Sequence, residues 1–220
     1  MPETTYERRF VQITQRAAGD ENNPIIEGDA AVFNTETNIG GWFREKIRPG
    51  AFARVLSENP DVIAAYNHNW DMVLGRTTAG TLSLRETITG LHYETKVNPR
   101  DVQAMGVYER VKRGDVSQAS FAFTVRREEW TKPASKSELA LREVIEVDKL
   151  FDVGPVAFGA YPQASAQARS TAETFQQEET PPPDQAASSG AEGQVKARSA
   201  ARSRSLALLD VNQLRKESIS

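Results

Sequence analysis

The 220-residue chain contains no cysteine, which excludes disulfide cross-links, a thiolate nucleophile and thiolate-ligated metals. Histidine is nearly as scarce: with only His68 and His92 present, a multi-histidine zinc site is not expected. No long uninterrupted apolar run occurs in a sequence that is 39% apolar, which supports a soluble core and argues against a membrane-spanning helix. Excess positive charge is also missing. The formal net charge of -3 offers no bulk attraction to nucleic acid or anionic lipid, so neither is expected as a partner. The start, MPETTYERRF, lacks the apolar stretch of a signal peptide, so the chain is expected in the cytoplasm of the cell that makes it. No cofactor is expected.

What is there reads as short strands with a few helices between them. Residues 10–13, 25–26, 30–33 and 43–47 are β-prone and separated by turn formers. After Gly50, Phe52, Val55 and Leu56 fall on one helix face, and Asn59-Pro60 stops it. Residues 62–97 alternate strands with turns, and both Thr78-Ala79-Gly80 and Thr87-Ile88-Thr89-Gly90 are expected to be hairpin connections. Asp101 then opens the strongest helix, with Val102, Met105, Tyr108 and Val111 expected to face the core and Gly114 to end it. Residues 126–138 are charged and suit a surface loop or a hairpin tip.

The organisation is expected to be a folded domain over 1–169 and a disordered tail over 170–220. The tail is rich in Glu, Gln, Pro, Ala and Ser, contains Pro181-Pro182-Pro183, and has too few large apolar residues to bury a core. Leu206 and Leu209, with Val211 and Leu214 as further members, leave room for a short amphipathic helix at its end, either a docking peptide or a frayed terminus.

Three stretches carry candidate chemistry. In NHNWDMVLGR, His68 follows the apolar run 62–65, where an imidazole held at a strand end can carry a proton. Along Ala119-Ser120-Phe121-Ala122-Phe123-Thr124-Val125 the odd positions fill a core, while the even ones are small and would leave Ser120 accessible to an imidazole and a substrate carbonyl. Asp152 interrupts the apolar run after Leu150, and a carboxylate there must either point outward or orient something cationic. Together His68, Ser120 and Asp152 would supply base, nucleophile and orienting acid: serine needs a base at neutral pH, and the base needs an acid to fix its tautomer. Each has an ordinary alternative, as a turn histidine, an outer-face serine or a paired strand carboxylate. His92, alternating with Leu91 and Tyr93, is read as a solvent-side or hydrogen-bonded strand residue.

The ordered series Phe43-Arg44-Glu45-Lys46-Ile47-Arg48-Pro49-Gly50-Ala51-Phe52, Asn67-His68-Asn69, Val73-Leu74-Gly75-Arg76, Gly90-Leu91, Ser117-Gln118-Ala119-Ser120-Phe121-Ala122-Phe123, Phe151-Asp152-Val153-Gly154-Pro155-Val156 and Ala160-Tyr161-Pro162 resembles the prohead proteases of tailed phages of the Hong Kong 97 type. The resemblance covers roughly residues 8–170. It implies a mainly β protein with a few helices, a closed β-barrel of the herpesvirus-protease (assemblin) type acting as a serine endopeptidase. Such an enzyme works in the host cytoplasm inside the assembling prohead. Its partners would be the major capsid protein and its scaffold-like region, with self-association and self-cleavage. His68 matches the family's Asn-His motif, Ser120 its Ser-Phe-Gly/Ala-Phe motif, and Asp152 best matches its acid.

Two departures bear on that match. Gly154 stands where members often have serine, and Gly159 where many have proline, so the acid assignment has Glu146 and Asp148 as fallbacks. Assemblins use a second histidine after the serine; both histidines here precede Ser120, so a carboxylate must serve instead. The stretch from Lys196 through Arg198-Ser199 to Arg204 would suit self-processing or a plain linker. A non-catalytic capsid-assembly or scaffold-binding module with the same barrel is the rival reading.

Overall fold

The computed structural model describes residues 6–11, 15–135, 137–158, 171–173 and 175. The chain divides into two units, Met1–Glu178 and Glu179–Ser220, and every described residue belongs to the first. The expected terminal helix, the candidate processing stretch 196–204 and the Ala160-Tyr161-Pro162 motif therefore lie outside the described residues, as does all of the expected tail beyond 175.

The first unit is mainly β. Its strands are β1 (Glu7–Val11), β2 (Arg16–Gly19), β3 (Pro24–Val32), β4 (Thr37–Ile39), β5 (Phe43–Ile47), β6 (Ile63–Ala65), β7 (Val73–Arg76), β8 (Leu82–Glu86), β9 (Gly90–Lys96), β10 (Gln118–Thr131) and β11 (Leu141–Val156). Two helices, α1 (Ala53–Ser57) and α2 (Val102–Arg113), and a 3-10 turn at Tyr66–His68 complete the elements described up to residue 158. One sheet has the order β1-β10-β11-β5-β4, with β6 beside β11 and β7 beside β6; the other runs β2-β3-β9-β8. A parallel bridge between Phe33 and Ile47 ties the end of β3 to the end of β5.

The antiparallel pair β10–β11 is the spine. β11 is long enough to take two parallel neighbours in turn, β5 along its first part (Leu141 opposite Arg44) and β6 along its last (Asp152 opposite Ile63). The odd positions of β10 fill the core as alternation requires: Phe121 meets Phe52 edge-on at 5.7 Å and stacks on Phe123 at 4.7 Å. The charged stretch after Val125 is not all loop, because β10 continues to Thr131 with Trp130 turned edge-on against Phe43 at 5.2 Å. Past the expected boundary at 169, residues 171–173 and 175 are helical; Ala172 is buried beside Phe43, and Phe175 stacks on Trp130.

Helix α2 is capped as its sequence demands. The Asp101 carboxylate accepts from the amides of Gln103 and Ala104, and Gly114 closes the other end in the left-handed region. Its buried face is Ala104, Val107, Tyr108 and Val111, whereas Val102 is 86% exposed. The expected stripe holds at Tyr108 and Val111, with Met105 partly buried against the core, and fails at Val102 for a geometric reason. At about 100° per residue, positions taken every third residue drift around the helix, and nine residues carry Val102 about half a turn away from Val111. The first expected hairpin is corrected as well: the turn closed by Gly80 N–H on the Thr77 carbonyl joins β7 and β8, which belong to different sheets. The second, between β8 and β9, is a true antiparallel connection.

Candidate active site

Strand β6 starts opposite Asp152 and runs parallel to the end of β11, so the turn that follows is delivered beside the last part of β11. In that turn Asn67 and His68 both have positive φ, 53° and 55°. Left-handed backbone at residues other than glycine costs on the order of 1 kcal/mol each, and such conformations persist only where the surroundings enforce them. Here the Asn67 side chain accepts from the Ala157 amide at 2.9 Å, and Met72 N–H closes the loop on the Asn69 carbonyl at 2.8 Å.

Gly154, opposite Ser120 on β11, has φ of 148°, and a Cβ there would collide with the Ala65 carbonyl oxygen. The bare backbone at 154 is thus what lets β6 come close enough to seat the turn.

The turn places the imidazole between β10 and β11. His68 Nδ1 lies 2.6 Å from Asp152 Oδ1, and its Nε2 contacts the Ser120 Oγ. A carboxylate oxygen accepts, so Nδ1 carries the hydrogen and Nε2 turns its lone pair to the serine hydroxyl. Asp152 Oδ2 accepts in turn from the Trp70 indole N–H at 2.6 Å. The hydroxyl of Ser120 has a second acceptor within reach, the Arg9 carbonyl of β1 at 2.8 Å, and the Phe10 ring stands edge-on to the imidazole at 6.2 Å.

All three expected site residues are therefore in contact. The fallback carboxylates are engaged elsewhere: Glu146 with Arg54 at 2.7 Å, and Asp148 with Arg54 at 3.3 Å. His92 lies in the other sheet, where its Nδ1 meets Asp29 Oδ1 at 2.9 Å, as a hydrogen-bonded strand residue.

One expectation is met only in part: the imidazole of His68 reaches Ser120, but the way for a substrate carbonyl is closed. Ser120 is 0% exposed, Asp152 1% and His68 8%, so the serine is covered rather than accessible. The small even face of β10 reads as an outer face in sequence, yet it is small because the turn carrying His68 packs on it, and Phe10 of β1 stands directly opposite Ser120.

Beside the site lies a buried ionic cluster that the sequence reading missed. Arg9 donates to both oxygens of Glu45, at 2.5 and 2.7 Å, and also to Glu7. Arg142 donates to Glu7 at 2.6 and 2.8 Å, to Glu45 at 2.8 Å, and through Nε to Glu128 at 2.7 Å. Burial alone would push the Glu7 carboxyl up; hydrogen bonds from Arg142 and the charges of Arg9 and Arg142 outweigh it and hold its pKa at about 2. Burial likewise disfavours the charged form of Arg142, but its carboxylate partners raise its pKa. The cluster spans β1, β5, β10 and β11 and so fixes β1 against the serine strand. Alternation hinted at it, since Glu45 occupies a buried slot between Phe43 and Ile47.

Among the described residues, no group of three or more His, Cys, Asp or Glu side chains is arranged to hold a metal ion. No helix among them is long and apolar enough to cross a membrane.

A serine hydroxyl, an imidazole and a carboxylate in line, on a mainly β scaffold, are the constellation of a serine hydrolase. The chain belongs to the caudovirus prohead serine protease family, whose model matches residues 11–178. It is 29% identical over 133 residues to the prohead protease of Enterobacteria phage HK97, an alignment that covers 60% of this chain and 56% of that protein. The chain thus spans little more than half the length of that curated relative. No solved structure gives a significant match.

Proposed function

We propose that this chain is a phage prohead maturation endopeptidase that cuts peptide bonds by acyl transfer through Ser120, His68 and Asp152. The observation that carries the reading is the His68 ring, with one nitrogen on Asp152 Oδ1 and the other on Ser120 Oγ. In the reaction, Ser120 Oγ attacks the substrate carbonyl carbon as its proton passes to Nε2 of His68. The tetrahedral intermediate collapses when His68 returns that proton to the departing amine, leaving an acyl-serine ester. Water, deprotonated by the same nitrogen, hydrolyses the ester and releases the second product. Asp152 holds the tautomer and balances the imidazolium in both halves.

The substrates are the scaffold or the scaffold-like arm of the major capsid protein, and the chain itself, cut within the assembling prohead in the host cytoplasm. Self-association there would bring one copy to another's tail. The two sheets, linked at Phe33 and Ile47, are the parts of one closed barrel of the herpesvirus-protease type, and the folded domain runs past the expected boundary at 169, at least to Phe175, with the remainder as a tail. Because Ser120 has no exposed surface, the closed arrangement is a resting state that substrate must open.

The test is co-expression with the major capsid protein, comparing the wild type with Ser120→Ala by mass spectrometry. Shortening of the capsid protein by the wild type alone supports the reading. An undiminished product with Ser120→Ala, or binding without any shortening, would favour a non-catalytic assembly module.

A further inference from the structure

We propose that the indole N–H of Trp70 is a positioning group for the proposed reaction, holding the second oxygen of Asp152 so that the first stays aligned on His68. The inference rests on the Ser120–His68–Asp152 reading and adds a residue that the sequence motif did not single out.

Asp152 is 1% exposed, so each of its oxygens must find a donor inside the protein. Oδ1 takes His68 Nδ1 and Oδ2 takes Trp70 Nε1, both at 2.6 Å. Two donors on the two oxygens of one carboxylate fix its plane, which a single donor would leave free to rotate. An indole N–H only donates and does not titrate in the working range, so this hold has the same direction at every pH.

The two donors also arrive together. His68 and Trp70 stand two residues apart in one tight turn, closed by the Met72 amide on the Asn69 carbonyl and by the Asp71 amide on Asn69 Oδ1 at 3.0 Å. Trp70 is seated by aromatic contacts: its ring stacks on Tyr6 at 5.8 Å and 23°, and Tyr6 leans on Phe151, the neighbour of Asp152, at 5.4 Å. At 48% exposure Trp70 buries too little of its ring for packing alone to demand tryptophan. What phenylalanine would lack at this position is the N–H.

Two variants of the full chain separate the N–H from the ring: Trp70→Phe, and the isosteric replacement of Trp70 by β-(3-benzothienyl)alanine, in which sulfur stands for the N–H. Initial rates of capsid-protein cleavage are measured over a range of substrate concentrations. The imidazole Nδ1 proton is followed by NMR, also in a Ser120→Ala background where catalysis plays no part. We expect kcat to fall on the order of tenfold in both variants, with KM within about twofold and the low-field Nδ1 resonance shifted or broadened.

Wild-type rates in either variant would overturn the proposal. A rise in KM at constant kcat would do the same, because it would make Trp70 a substrate contact. Cleavage retained by Ser120→Ala alone would bring down the catalytic reading instead. In that case the Nδ1 resonance still decides, independently, whether Trp70 positions Asp152.

Discussion

Acid should release β1 from the serine strand, and Glu7 sets where. Its carboxyl is held at about 2 in the folded protein, against an ordinary value of 4.5, because Arg142 and Arg9 favour the ionised form more than burial opposes it. A depressed folded pKa means that the unfolded chain binds the proton first. The stabilisation is fully present above the unfolded value near 4.5 and is lost as pH falls towards 2. A displacement of that size corresponds to roughly 3 kcal/mol. Since β1 carries both Arg9, whose carbonyl lies 2.8 Å from the Ser120 hydroxyl, and Phe10, which faces His68, the loss falls on the strand that covers the site. The assay is urea unfolding from pH 6 to pH 2 of the wild type and Glu7→Gln. Glu7→Gln should be less stable at pH 6, and the gap should narrow steadily below pH 4.5. A gap that stays constant across that range would refute the electrostatic account of β1 docking.

Asp152→Asn keeps the shape of the site, but with the Trp70 N–H holding the remaining oxygen the amide NH2 faces His68 Nδ1 and favours the wrong tautomer; cleavage should drop by roughly 10⁴-fold while the unfolding midpoint moves little, read by parallel kinetics and thermal melts. Gly154→Ala should cost about 1–3 kcal/mol in denaturant unfolding, because its Cβ meets the Ala65 carbonyl and its φ is unsuited to a side chain. Cleavage should fall further than stability does, since the turn bearing His68 is pushed off β11. Asp101→Ala removes the α2 cap and should cost about 0.5–2 kcal/mol with no change in kcat, marking a helix remote from the chemistry.

Locally encoded features were legible in the sequence. The caps of α2, the Asn59-Pro60 stop and the core face of Phe121 and Phe123 each follow from a few adjacent residues. Features set by distant partners were not. Nothing between Arg76 and Leu82 says that β7 and β8 join different sheets, because β6 and β9 decide it. Ser120 read as open to substrate because side-chain size along β10 cannot reveal how fully the turn at residues 66–68 and Phe10 of β1 cover the same face. Arg9 and Arg142 look like surface charges until β1, β5 and β11 bring them to Glu7 and Glu45. The three site residues were singled out by the ordered motifs of a family resemblance; spacing alone would have left many such triples. Trp70 carried no signal beyond its nearness to His68.

The central claim is that His68 activates Ser120, and a serine-directed fluorophosphonate tests it most directly. Peptide mapping after reaction of the chain in the presence of the capsid protein, which opens the closed site, should find one adduct on the chain, on Ser120, that disappears in His68→Ala although the serine is still present. Equal labelling of Ser120 in His68→Ala, or an adduct on another serine only, would contradict the account.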